Sequence, residues 1–171
     1  RHLSRNQMEV ARDRLMMASF LQYTLPGCPS LYYADETCME GYKDPFNRRT
    51  YPWGREDMEL IAFHKAAISL RKEYPVLRHG SLKQLYGAYG VLAYGRFDEK
   101  EKILVALNNT EEIRTVSIPV WQMGVQTEGT LQNCLMTNRD GFTVFGFSYP
   151  VRNGNVLLSL PPKSAMAVRE I

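Results

Sequence analysis

The residues best equipped for chemistry lie between Tyr23 and Trp53. Asp35 and Glu36 stand side by side in one polar loop. A second loop carries Asp44, Asn47, Arg48 and Arg49 among the rings of Tyr42, Phe46, Tyr51 and Trp53. Hydrogen-bonding groups set beside flat rings suit a sugar, which presents hydroxyl edges and apolar faces. Retaining cleavage of a glycosidic bond needs a carboxylate nucleophile and a carboxylic acid about 5–5.5 Å apart. Asp35 and Glu36 fit that poorly, because adjacent residues of a strand point to opposite faces. They read as structural groups at a strand mouth, bonded to backbone or to a neighbouring arginine. His64, inside a helical pattern and without a partner at metal-ligand spacing, reads as a satisfied structural histidine.

The flanking elements must position these loops. Ser4 and Gln7 form a capping box, with Leu3 and Met8 at the staple positions. Met8, Ala11, Leu15, Ala18 and Gln22 follow one helical face, and Met16, Met17, Phe20 and Leu21 broaden it, so this helix packs between layers. It ends at Thr24-Leu25, before Pro26-Gly27. Leu31 to Ala34 then reads as a strand buried on both faces in a parallel sheet. After the loops, residues 55–75 read as an amphipathic helix with Leu60, Ile61, Phe63, Ala67, Ile68 and Leu70 inward. Glu56, Asp57 and Glu59 open that helix, Arg71 and Lys72 close it, and Pro75 stops it. Helix, turn, parallel strand, loop and helix make one unit of a β/α barrel, whose chemistry sits at the C-terminal ends of its strands.

From Leu77 onward the texture changes to short β-rich runs. LKQLY, VLAYGRF, KILVALNN, IRTVSIPV and NVLLSLP are separated by turns, and further strand is expected around an Asp140-Gly141 turn. Closely spaced strands with no helix between them predict an antiparallel sandwich.

Two segments carry a family resemblance. LPGCPSLYYADE (25–36) resembles the end of the last barrel strand in the alpha-amylase superfamily, glycoside hydrolase family 13. DPFNRRTYPW (44–53) resembles the following loop in its neopullulanase, cyclomaltodextrinase and oligosaccharide alpha-glucosidase members. With the next helix the match runs to about residue 80, and the remainder fits the family's C-terminal sandwich. Ala34 departs from the pattern, which has Gly before the Asp-Glu pair, and implies a slightly altered backbone there. The resemblance implies an α/β piece plus an all-β domain. Residues 1–76 would be the last helix-strand-helix of a (β/α)8 barrel, and residues 77–171 an antiparallel β-sandwich.

The family's catalytic carboxylates sit on earlier barrel strands, the last in a His-Asp motif. Here His2, His64 and His79 are followed by Leu, Lys and Gly. A whole barrel also takes typically about 250 residues. The chain is therefore expected to hold no catalytic residue and to be inactive alone, as the C-terminal part of a retaining alpha-glucan hydrolase. What carries over is substrate binding. In the family's DPxNR pattern the Asp and Arg hydrogen-bond a glucose unit, which implies that role for Asp44 and Arg48; an ion pair bracing the loop is the alternative, and both can hold together. The substrate implied is an alpha-1,4- or alpha-1,6-linked maltooligosaccharide or other alpha-glucan.

Composition narrows the remaining classes. A net charge of +3 with scattered Lys and Arg argues against nucleic acid, and no apolar run approaches the roughly 20 residues of a membrane span. Three cysteines fit no metal or redox spacing and read as thiols in a reducing cytoplasm. No metal or cofactor is expected. The polar N-terminus shows no signal peptide, and the lack of an initiating Met suggests an upstream portion. Two other readings stand beside the hydrolase: a carbohydrate-binding or interaction module using Tyr86, Tyr89, Tyr94, Trp121 and Tyr149, and a purely structural piece. On any reading the helix-strand-helix should expose an apolar face, covered by self-association or by further barrel units.

Overall fold

The computed structural model describes residues 3–171; the sequence reading of His2 lies outside them. Helix α1 (Arg5–Thr24) begins with the expected capping box: the Gln7 N–H donates to the Ser4 hydroxyl, and the Gln7 side chain accepts from the Ser4 N–H. Its buried face runs through Met16, Met17, Phe20 and Tyr23. The stripe from Met8 to Gln22 is only half-buried and Ala18 is exposed, because that side of α1 faces the loop around Cys38–Tyr42 instead of a packed layer. Helix α2 (Met58–Glu73) starts at Asp57, whose carboxylate accepts from the Leu60 N–H at 2.9 Å. It buries Leu60, Phe63, His64, Ala67 and Leu70; Ile61 and Ile68 are half-buried. A single turn, α3 (Val76–His79), leads into the strands.

The expected strand at Leu31–Ala34 does not form. A strand needs a neighbour to pair its N–H and C=O groups, and among the described residues no strand pairs with this segment. Leu31, Tyr32 and Tyr33 are exposed, and Asp35–Thr37 make a 3-10 turn.

Nine strands follow: β1 (Ser81–Ala88), β2 (Val91–Phe97), β3 (Lys102–Asn108), β4 (Arg114–Ile118), β5 (Gly129–Asn138), β6 (Gly141–Thr143), β7 (Ser148–Arg152), β8 (Asn155–Leu160) and β9 (Ser164–Glu170). All pairings are antiparallel, in the order β1-β2-β3-β9-β5-β7-β8-β4, with β6 beside β5. The sheet curls into a sandwich, as the spacing of the runs predicts. Its β2, β3 and β9 portion is covered on both sides. Ile103, Val105 and Leu107 of β3 face the helices with Ala165 and Ala167 of β9. Leu104, Ala106, Met166 and Val168 face Val116, Ile118, Val156 and Leu158 of the opposite layer. Burial on both faces explains why these central strands lack apolar–polar alternation, whereas β8, covered on one face, alternates strictly.

Strand β5 belongs to both layers. Leu131 packs in the inter-sheet core and Leu135 against the helices, although residues four apart on a regular strand share a face. The register shift between Asn133 and Leu135 resolves this: a bulge inserts one residue and inverts the facing.

Two buried arginines join the helices to the sheet. Arg71 of α2 donates to the carbonyls of Tyr23 (2.7 Å), Leu25 (3.1 Å), Leu77 (2.8 Å) and Gly27. Arg96 of β2, fully buried, donates to Thr24 (2.5 Å), Leu77 (2.8 Å), Gly80 (3.0 Å) and Ser81 (3.4 Å). These carbonyls end α1 and border α3, where intrahelical donors run out. Burial lowers the pKa of both guanidiniums. Phe63 stacks on Phe20 and meets Phe142 edge-on, carrying α1–α2 packing onto β6.

The surface side of the α1–α2 contact is ionic. Arg12 bridges Asp57 at 2.6 Å and Glu59 at 2.7 Å. Burial works against the Asp57 carboxylate, yet the Arg12 and Leu60 hydrogen bonds outweigh it and hold its pKa below the ordinary aspartate value.

Two predictions follow from these contacts. Arg96→Met leaves several buried carbonyls without donors and should lower unfolding free energy by about 3–5 kcal/mol. Arg96→Lys should recover little of this, because one ammonium cannot span the carbonyls the fork reaches; urea denaturation reads both, and a loss under 1 kcal/mol for the Met variant would remove the clamp as a stabilising feature. For Asp57 the folded-state pKa is depressed. Its stabilisation is therefore complete above the unfolded carboxylate range and is lost as pH falls through the lowered value. The stability gap between the native chain and Asp57→Asn, about 1 kcal/mol at neutral pH, should close as pH falls below 3.8. A gap independent of pH would show that the carboxylate charge contributes nothing.

Candidate carbohydrate-binding loop

The segment 35–55 is built on an unusual residue. Ala34 has φ +69°, in the left-handed region where a Cβ is disfavoured. Its carbonyl accepts from the Thr37 N–H (3.1 Å), the Thr37 hydroxyl (2.8 Å) and the Met39 N–H (3.3 Å), closing the turn that presents Asp35 and Glu36. The backbone thus retains a conformation that favours glycine, although the residue is alanine. Thr37 and Ala34 are buried.

The two acids do not act as a solvent-facing pair. The Glu36 carboxylate lies against the Tyr51 hydroxyl, and burial together with that carboxylate raises the Tyr51 pKa. The charge of both acids also reaches the Tyr23–His64 pair, pulling both pKa values upward. His64 is buried and shares one bond at Nδ1 with the Tyr23 hydroxyl at 2.9 Å; its Nε2 has no partner among the described residues, so the histidine expected to be satisfied is only half so. Burial lowers the His64 pKa, against an upward pull from Glu36 and Asp35, and burial raises that of Tyr23 to about 12. This places His64 in the packing between α1 and α2.

The second loop brings Asp44 and Arg48 together: Arg48 Nε donates to Asp44 Oδ1 at 2.7 Å. Both side chains remain mostly exposed, at 61% for Asp44 and 71% for Arg48. In the same segment Phe46 and Trp53 are exposed, and Tyr42 lies beneath the Arg49 guanidinium at 5.3 Å. Tyr42, Lys43, Phe46 and Arg49 border an open hollow of about 530 Å³. Tyr51 and Trp53 lie 4.5 Å apart, centre to centre. The loop is anchored by Tyr33, whose hydroxyl donates to the carbonyls of Arg49 (2.7 Å) and Asn47 (3.3 Å). Sequence reading placed Tyr33 inside a buried strand and missed this role; nothing in its spacing marks it.

The rings on the sandwich do not form a comparable cluster. Tyr94 is buried, its hydroxyl 2.6 Å from that of Thr24, while Tyr89 and Trp121 are exposed on separate turns. Among the described residues no group of three or more His, Cys, Asp or Glu side chains is arranged to hold a metal ion, and no helix is long and apolar enough to cross a membrane.

Comparison with known proteins assigns the strands. Residues 80–157 match the family described as the alpha-amylase C-terminal domain. An amylopullulanase of Thermoanaerobacterium thermosulfurigenes is 31% identical over 169 residues, 92% of this chain and 9% of that protein. A cyclomaltodextrinase of Thermoanaerobacter pseudethanolicus is 37% identical over 101 residues, 58% of this chain and 18% of that protein. The crystal structure of an alpha-amylase from Geobacillus thermoleovorans, complexed with acarbose, superimposes with a TM-score of 0.80 at 27% identity, covering 95% of this chain and 34% of that one. The chain spans only a small part of the curated relatives it matches. It is a relative of the alpha-amylase-family glycoside hydrolases, and its residues 80–157 match their C-terminal domain.

Proposed function

We propose that this chain is the C-terminal part of a retaining alpha-glucan hydrolase acting on alpha-1,4- or alpha-1,6-linked glucooligosaccharides. In this reading residues 1–76 complete the catalytic barrel, residues 77–171 form the sandwich domain that backs it, and the catalytic carboxylates lie outside the chain. Further barrel units cover Leu31, Tyr32 and Tyr33. The relatives' similarity across nearly the whole chain supports the assignment.

The observation that carries the binding role is the Asp44–Arg48 pair. A surface pair of this kind contributes little to stability, so bracing alone is a weak reason for its geometry. Joined through Nε, the guanidinium and carboxylate remain open to solvent, and Phe46, between them in the chain, is exposed. A planar fork fixed by a carboxylate can donate to adjacent sugar hydroxyls while a ring covers an apolar sugar face.

The test uses both the chain and the longer polypeptide. The 171-residue chain is expected to release no reducing sugar from pullulan, maltoheptaose or cyclodextrin. In the longer enzyme, Arg48→Ala and Asp44→Ala should each raise KM for maltotriose about tenfold or more, with a smaller effect on kcat. Arg48→Lys should not restore KM. Turnover intrinsic to the chain, or an unchanged KM in both variants, would refute the reading.

A further inference from the structure

The β6–β7 connection presents a surface that the loop at Asp44–Arg48 does not explain. Val144, Phe145 and Phe147 are exposed in sequence around Gly146, with Phe145 at 76%. Large rings left in water are normally buried or serve an interaction. This loop is also held in place. Asn133, at the β5 bulge, donates its backbone N–H to the Phe147 carbonyl (2.8 Å) and its side-chain Nδ2 to the Phe145 carbonyl (2.8 Å). Both rings are thus carried by a backbone fixed at two points.

Beside the rings lies a cleft of about 380 Å³ between the last turns of α2 and strands β5 and β9. Val144 and Gly146 form one wall. Ser69, Glu73, Gln132 and Arg169 supply hydroxyl, carboxylate, amide and guanidinium groups, and Arg169 is held over the Tyr74 ring at 5.8 Å. Asn133 forms part of the lining, and its Oδ1 is buried without a partner among the described residues, an uncommon state for a buried amide oxygen. One acid and one base leave this lining near neutral, which suits neither a phosphate nor a strongly charged segment. Mixed donors and acceptors next to exposed rings match a neutral polyhydroxylated ligand.

We infer that the cleft beside Phe145-Gly146-Phe147 is a second carbohydrate-contacting surface, which takes a short run of alpha-glucan apart from the Asp44–Arg48 loop. The glucan specificity rests on the proposed function above; the site itself rests on the rings and the cleft. Glu73, Gln132 and Arg169 in the cleft reach hydroxyls, and Phe145 and Phe147, each one residue along the chain from the lining residue Gly146, cover the faces of sugars that extend past it. None of these residues belongs to the 35–55 segment. The site therefore holds polymer on the sandwich while the other loop meets a single glucose unit.

The test is affinity electrophoresis of the 171-residue chain through gels containing pullulan or amylopectin, with calorimetric titration of maltoheptaose. The native chain should be retarded. Phe145→Ala/Phe147→Ala should weaken binding about tenfold or more, at an unchanged denaturation midpoint because both rings are exposed. Leu157→Ala, an equally exposed apolar change on β8, should leave retardation intact. Retardation that survives the double Phe variant but is lost in Arg48→Ala overturns this inference and leaves the proposed function standing. No retardation of the native chain also overturns it, while the KM changes in the longer enzyme are judged separately. Self-association in sedimentation that the double variant abolishes, without glucan binding, would overturn it in favour of a protein-docking patch.

Discussion

The structure depends on what happens at the C-terminal end of α1. Its last carbonyls have no helical donors ahead of them and are enclosed by α2, α3 and β2 where water does not replace the missing bonds. Arg71 and Arg96 supply the donors from two different elements and share the Leu77 carbonyl. Among the described residues neither pairs with a carboxylate. Their charge is offset by carbonyl dipoles at a helix C-terminus, where cations are favoured. Desolvation and mutual repulsion disfavour the arrangement, and both lower the Arg96 pKa. An arginine fork accommodates it because five N–H groups in one plane reach several carbonyls at once. Helices and sheet are consequently joined by polar bonds as well as by the apolar layer around Phe20, Phe63 and Ile103.

The second constraint is the sheet's need to serve two cores. Alternate residues of β3 and β9 supply one side chain to the helices and the next to the opposite strands, which requires apolar residues at every position. Small side chains at Ala165 and Ala167 sit on the helix-facing side opposite Leu107 and Val105. The β5 bulge changes the facing of a strand partway along its length. The same bulge frees the Asn133 amide for the loop that presents Phe145 and Phe147, so a feature of sheet geometry also shapes a surface.

The two surfaces with functional promise are prepared differently. The 35–55 segment has little regular structure and is held by a left-handed turn at Ala34, the Tyr33 hydroxyl and the Glu36–Tyr51 contact. The cleft at α2, β5 and β9 stands on regular elements, with only Val144 and Gly146 of its lining on a loop. A ligand meeting the first encounters an ion pair in a loop with exposed rings; at the second it encounters a polar lining.

Much of this was legible in the residues. Ser4, Gln7, Pro26 and Gly27 bound α1, Pro75 stops α2, and β-rich runs between turns located most strands, because caps, breakers and short-range periodicity act within a few residues; the start of α2 at Met58 rather than residue 55, capped by Asp57, was not legible. The pairing of Asp44 with Arg48 was readable for the same reason, since the two lie four residues apart. Strand β9 was missed: SAMAVRE lacks the alternation of a half-exposed strand, being buried on both faces by elements distant in the chain. Leu31–Ala34 failed in the opposite sense, since its apolar run suits a central strand but pairing requires a neighbour that no local pattern can supply. The buried stripe of α1, the arginine clamp and the cleft beside Phe145 were likewise settled only by tertiary structure. Each depends on which surface arrives from another part of the chain. The sequence by itself determined where elements begin and end and what its loops could contact; the fold decided which faces are buried, because burial is a property of pairs of elements.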